Sequence, residues 1–71
     1  MADFYLNLNQ TNDIDYEVHE SGCYWLSLVA RKEHLGNFSS CHGAVAEAKR
    51  RHPNKYRING CKHCSPACHT T

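Results

Sequence analysis

Residues 60–69 read Gly60-Cys61-Lys62-His63-Cys64-Ser65-Pro66-Ala67-Cys68-His69, a stretch that holds three of the five cysteines and two of the six histidines in the chain. Gly60 and Pro66 punctuate it, so it belongs to a turn rather than to the interior of a long strand or helix. A Cys-x-x-Cys pair on a glycine turn is a chelating knuckle. The tail weighs heavily because the chain has only 71 residues. A domain this short buries only about 60% of the surface its unfolded chain exposes. Apolar burial alone leaves it marginal, and domains of this size commonly add a disulfide or a metal.

The surroundings of the thiols decide between those two staples. Met1-Ala2-Asp3-Phe4 lacks the basic and apolar regions of a signal peptide. The expected compartment is therefore the cytoplasm, where thiols stay reduced. Five cysteines, an odd number, also fit a complete disulfide framework poorly. No stretch approaches the roughly 18 apolar residues of a membrane span. The formal net charge of +1 gives no general drive toward nucleic acid.

A second half-site lies upstream at His19-x-x-x-Cys23, wrapped around Gly22. With Cys61 and Cys64 it makes one histidine and three cysteines, the ligand types and number of a structural zinc site. Close-spaced pairs lose little chain entropy on assembly, and closing the loop of residues 24–60 is where a metal stabilises most. The expected ligands are thus His19, Cys23, Cys61 and Cys64, holding Zn2+. The plainer readings are that His19 is a polar residue on a strand surface and that Cys23 is a small buried hydrophobe. Cys41 falls on an apolar helix stripe, so core packing is the first reading for it. Cys68 is left over, to bind metal or to pair with another cysteine. A disulfide among Cys61, Cys64 and Cys68 is the main alternative to the metal.

Along the chain, Phe4, Leu6 and Leu8 alternate onto one face, which predicts a strand. A polar turn cluster follows at Asn9-Gln10-Thr11-Asn12-Asp13, and Asp15-Tyr16-Glu17-Val18-His19 reads as the hairpin partner. Tyr24-Trp25-Leu26-Ser27-Leu28-Val29 reads as a third strand, Arg31-Lys32-Glu33 as an exposed turn, and His34-Leu35-Gly36-Asn37-Phe38 as a short extended segment. One helix is expected over residues 41–51. Ser39 or Ser40 caps it, Cys41, Ala44, Val45 and Ala48 form its apolar stripe, and Pro53 stops it. Tyr56-Arg57-Ile58 reads as a brief strand leading into the knuckle. These elements predict a single α+β domain over residues 1–71. It is a small curved antiparallel sheet with one helix packed on it and a Cys/His-rich C-terminal tail.

These motifs resemble a known layout. His19-x-x-x-Cys23, Leu35-Gly36-x-Phe38-Ser39-Ser40, Ala44-x-Ala46-x-Ala48-Lys49 and Gly60-Cys61-x-x-Cys64 look like a group of short bacterial proteins with a His-x3-Cys … Cys-x2-Cys pattern. The layout is also similar to the metal-binding module of the Ada DNA-repair protein. There a ligand pair after a strand precedes a Phe-x-Ser segment, a helix and a Cys-x-x-Cys. The resemblance spans residues 16–64 and implies a bacterial metal-binding protein with ligands at these four positions. It does not carry over the alkyl-transfer chemistry of Ada, which needs an all-thiolate site, whereas His19 stands at the first ligand position here.

Other chemistries fit less well. Cys64-x-x-x-Cys68-His69 is one residue longer than the usual c-type haem attachment motif. A thioredoxin-type pair at Cys61 and Cys64 needs a following helix, which Pro66 opposes. A Cys–His nucleophile would need a substrate pocket and an oxyanion hole beside the core, and 71 residues leave little room for both. Asp13 and Asp15 read as a solvated turn rather than an acid/base pair. Lys49, Arg50 and Arg51, with Lys55 and Arg57, make the C-terminal third basic. Compensation of the helix dipole explains that cluster without a ligand. The expected protein is a zinc-stapled, non-enzymatic, monomeric binding or accessory module. A protein partner would contact Trp25 and Tyr24, and neither nucleic acid nor membrane is expected. A metal-free, disulfide-stapled or redox-responsive domain is the alternative, and a weak nucleic-acid-binding module is the second.

Overall fold

A computed structural model describes residues 1–9, 16–55 and 57–69. Four strands and one helix form its frame: β1 (Ala2–Asn7), β2 (Tyr16–Glu20), β3 (Lys32–Phe38), α1 (Cys41–Arg51) and β4 (Ile58–Gly60). The strands make one open sheet in the order β3-β1-β2-β4. The alternation of Phe4 and Leu6 places both on the covered face of β1. Leu6 pairs with Val18 on β2, and all three are buried. Tyr16, Glu17 and Val18 of β2 pair with Ile58, Asn59 and Gly60 of β4.

The helix lies on this face through small residues. Cys41, Ala44 and Ala48 are its buried positions, and they join Phe4, Leu6, Val18, Leu35, Ile58 and Cys68 in one core. Val45, which shares the stripe, is partly buried against the same cluster. Alanines on the contact face let the helix axis come close to the sheet, which compensates for a core poor in large side chains. The predicted helix bounds, 41–51, match, and Ser40 is the N-cap residue, although its side chain makes no capping hydrogen bond.

The fold is α+β with a single helix on the sheet, as expected, but three local features differ. Residues 25–28 form a short 3-10 turn rather than a strand. β1 and β4 occupy both edges of β2, so the segment cannot pair with the strand it follows. It hydrogen-bonds to itself instead, Leu26 N–H to Cys23 O at 3.1 Å and Ser27 N–H to Tyr24 O at 3.1 Å. Only Leu26 is buried there, and Tyr24 and Leu28 are 67% and 61% exposed. Secondly, Lys32 and Glu33 are not a turn but open β3, pairing with Asn7 and Leu6. Thirdly, the sheet is mixed. β1 runs antiparallel to both β2 and β3, but β4 returns after the helix and runs parallel to β2. The strand expected at residues 56–58 starts only at Ile58. Residues 10–15 and 56 lie outside the described residues, as does all but Asn9 of the expected turn cluster.

Candidate metal centre

The parallel pairing of β2 with β4 brings the two half-sites together. His19 is the fourth residue of β2, and Ser21 and Gly22 turn the chain immediately after it. Gly22 has φ +91°, a conformation that a side chain disfavours. The Cys23 N–H then donates to Glu20 O at 3.0 Å, which folds Cys23 back over His19. On the other side, the Cys61 N–H donates to Val18 O at 2.9 Å and continues the β2–β4 ladder by one residue. The Ser65 N–H donates to Cys61 O at 2.8 Å and closes the knuckle, with Cys64 inside it. Gly60 is needed here for space. A Cβ on it would sit 2.7 Å from both Ser65 O and Cys68 Cβ.

All four expected ligands converge. The ligand atoms of His19, Cys23, Cys61 and Cys64 lie within 4.8 Å of one another. His19 Nδ1 is 3.7 Å from Cys23 Sγ and 3.8 Å from Cys64 Sγ. Zinc–sulfur bonds of about 2.3 Å and zinc–nitrogen bonds of about 2.0–2.1 Å in a tetrahedron imply edges of about 3.6–3.8 Å. The observed separations match those edges. His19 and Cys61 are buried, and Cys23 and Cys64 are partly exposed. The backbone N–H of Glu20 points at Cys64 Sγ at 3.4 Å, placed to stabilise a thiolate.

The protonation state of His19 suits the same use. Burial lowers the pKa of His19, so its ring is neutral near pH 7 and available as a ligand. Burial pushes the Cys64 thiol up to about 12, and the shared hydrogen bond with Cys23 adds to this. Burial acts upward on Cys23 too, but hydrogen bonds from Cys64 and from the backbone at Leu26 and Trp25 outweigh it and bring its pKa down. The two thiols share a hydrogen-bonded proton, and Cys23 is the more acidic partner. A cation entering between them takes the place of that proton.

Glu17 completes the site. It lies two residues before His19 on the same strand, and alternate residues share a face. With Nδ1 turned to the sulfurs, His19 Nε2 points the other way. It is buried and has no hydrogen-bond partner among the described residues, and Glu17 Oε1 stands 3.6 Å from it. A carboxylate behind a ligating histidine fixes its tautomer and orientation. Beyond Glu17 opens a cleft of about 340 Å3, lined by Asn7, Trp25, Leu28 and Val29 among others.

The remaining cysteines and histidines stand elsewhere. Cys68 is bonded to Cys41 at the start of α1, with a Cα–Cα distance of 6.3 Å. Cys41 is therefore in the core, as expected, but is not a free thiol there. The disulfide also corrects the alternative that placed one among Cys61, Cys64 and Cys68. Of that trio, Cys61 and Cys64 are free. The knuckle holds those two sulfurs toward His19, while the Pro66–Cys68 turn directs Cys68 to the opposite side of the tail, against the helix. His42, not singled out from the sequence, has Nδ1 3.6 Å from Cys68 Sγ. His63 stacks on Trp25 with ring centroids 5.1 Å apart, and His69 Nδ1 lies 3.1 Å from Gly60 O. Helical spacing points Glu47 toward Arg50 and Arg51, so that pairing was accessible from the sequence.

That pairing occupies two members of the basic cluster. Arg50 and Arg51 both hold Glu47, each at 2.6 Å, and Arg51 also binds Glu33 at 3.1 Å. Arg51 donates further to the carbonyls of His34 and Leu35. The Arg50 and then the Arg51 hydrogen bonds hold the Glu47 carboxyl at about 2. No helix among the described residues is long and apolar enough to cross a membrane. No protein-family model, curated protein or solved structure matches the chain.

Proposed function

We propose that this chain is a zinc-stapled module without catalytic activity, serving as a binding or accessory domain. The observation that carries the reading is the convergence of His19 with the sulfurs of Cys23, Cys61 and Cys64 within 4.8 Å of one another, with His19 Nδ1 at tetrahedral edge lengths from Cys23 and Cys64. Three thiolates and one imidazole suit zinc. Four protein ligands fill a tetrahedron and leave no position for substrate, which marks a structural rather than a catalytic centre.

The staple bears directly on the surface beside it. Cys23 leads into the turn that carries Tyr24, Trp25 and Leu28, all exposed, with Tyr24 edge-on to Trp25 at 5.2 Å. In this reading the metal fixes that turn, and the turn is what a protein partner contacts. Nucleic acid is a poor fit because Arg50 and Arg51 are engaged by Glu47 and Glu33. The proposed setting is the cytoplasm of a bacterium, with a monomeric chain, and the kinship proposed is with Ada-type metal modules.

The Cys41–Cys68 bond favours the second reading, a disulfide-stapled or redox-responsive domain. The two readings separate in one experiment: metal content per chain after purification without added zinc, for wild type and Cys61→Ser. The zinc reading expects one equivalent of zinc on wild type and a loss of that equivalent on Cys61→Ser. Metal-free wild-type protein with an intact fold would overturn it in favour of the disulfide reading.

A further inference from the structure

We propose that reduction of the Cys41–Cys68 disulfide opens a second metal site, formed by Cys41, His42 and Cys68, that takes a thiophilic divalent cation such as Zn2+ with solvent as its fourth ligand. Three donors already meet there. The sulfurs of Cys41 and Cys68 and a ring nitrogen of His42 lie within 4.8 Å of one another. His42 Nδ1 stands 3.6 Å from Cys68 Sγ, the sulfur–nitrogen edge of a tetrahedral zinc site. The two sulfurs must part from bonding distance to about 3.8 Å. Cys68 can supply that movement because it rides on a single short turn, Pro66–Cys68, whereas Cys41 is fixed in the helix.

The surroundings suit a thiolate–metal centre. Cys41 is the first residue of α1, where unpaired backbone N–H groups favour a negative sulfur. The Ser40 side chain makes no capping hydrogen bond that would satisfy them. Cys41 and Cys68 are buried at 8% and 6% exposure, while His42 is exposed, so the fourth position faces solvent. Three protein ligands and one water is a familiar zinc arrangement.

The exchange balances. Two electrons from an external dithiol, which leaves as its own disulfide, break the Sγ–Sγ bond and yield two thiols. Metal binding then releases their two protons. Exchange with an external disulfide, which takes up the two electrons and leaves as a dithiol, expels the cation and restores the bond. Both redox states share whatever the His19, Cys23, Cys61 and Cys64 cluster holds, so that cluster cancels when the two are compared.

The test is a Zn2+ titration of the full chain, oxidised and then reduced with a phosphine, with bound zinc counted after gel filtration. The reduced protein should carry one equivalent more than the oxidised protein. His42→Ala, a surface substitution, should weaken that additional equivalent about tenfold or more with the melting temperature of the oxidised protein unchanged. Equal zinc in the two states would overturn the proposal, as would a reduced chain that unfolds instead of binding. An additional equivalent that His42→Ala leaves unaffected would overturn the site as assigned.

Discussion

Toward β2 and β4 the C-terminal tail presents Cys61 and Cys64 to His19 and Cys23, and no sulfur there is bonded to another. Toward α1 the same tail presents Cys68, which is bonded to Cys41 with His42 alongside. The donors are alike, and the backbone makes the difference. On the β side, two hydrogen-bonded turns gather three unbonded sulfurs and the His19 ring within 4.8 Å of one another. On the helix side, a core position and a one-turn segment bring two sulfurs into contact. Thiols held apart around a neutral, buried imidazole lend themselves to a cation, whereas thiols in contact lend themselves to oxidation.

Four variants sharpen or break this contrast. The largest effect belongs to Cys61→Ser, which removes a buried ligand. We expect loss of bound metal and a loss of stability beyond about 4 kcal/mol, read by denaturant unfolding at saturating zinc. Retained metal with a near-native midpoint would place the contrast elsewhere. The Cys41→Ala, Cys68→Ala double variant comes next. The bond spans a sequence separation of 27, for which the chain-entropy account gives about 3–4 kcal/mol. The variant should keep the zinc of the β side, and losing it would show that the two clusters are not separable.

Glu17→Gln should weaken metal binding about 10–100-fold, because it removes the negative charge that stands 3.6 Å from His19 Nε2 behind the ligand ring. A competition titration reads the affinity, and the melting temperature of the metal-free form should stay unchanged. If both fall together, Glu17 is a packing residue and not a positioning one. The smallest effect is Glu47→Gln on the solvated helix end. The pKa of Glu47 falls from an ordinary value of 4.5 to about 2 on folding. Its contribution is therefore present above about pH 4.5 and disappears as the pH drops through about 2. The variant should melt slightly below wild type at neutral pH and converge with it in strong acid. A gap that widens on acidification would contradict the Arg50–Glu47–Arg51 pairing.

The convergence of His19, Cys23, Cys61 and Cys64 was legible in the sequence because these four donors lie in two close pairs, and each pair is a local structure. The helix was legible for the same reason, since its stripe, cap and stop are all local. The Tyr24-Trp25-Leu26-Ser27-Leu28-Val29 segment was not. It has the composition of a strand, but whether a strand finds a ladder depends on which edges of β2 are already filled. The parallel return of β4 is hidden likewise, because it is set by where α1 delivers the chain. Cys41 read as a core residue and is one, yet its partner comes from a tail segment whose direction depends on the close approach of Gly60 to Ser65 and Cys68. Glu17 was available from strand alternation once His19 was taken as a ligand. His42 was not, because its role exists only beside Cys68.

The central claim is that the β-side cluster is a metal centre whose binding energy is folding energy. It is tested most directly by thermal unfolding of the disulfide-intact protein with one equivalent of zinc, before and after a strong chelator. The account predicts a large drop in melting temperature on chelation, restored by added zinc and absent in His19→Ala. Identical melting curves with and without the chelator would contradict it.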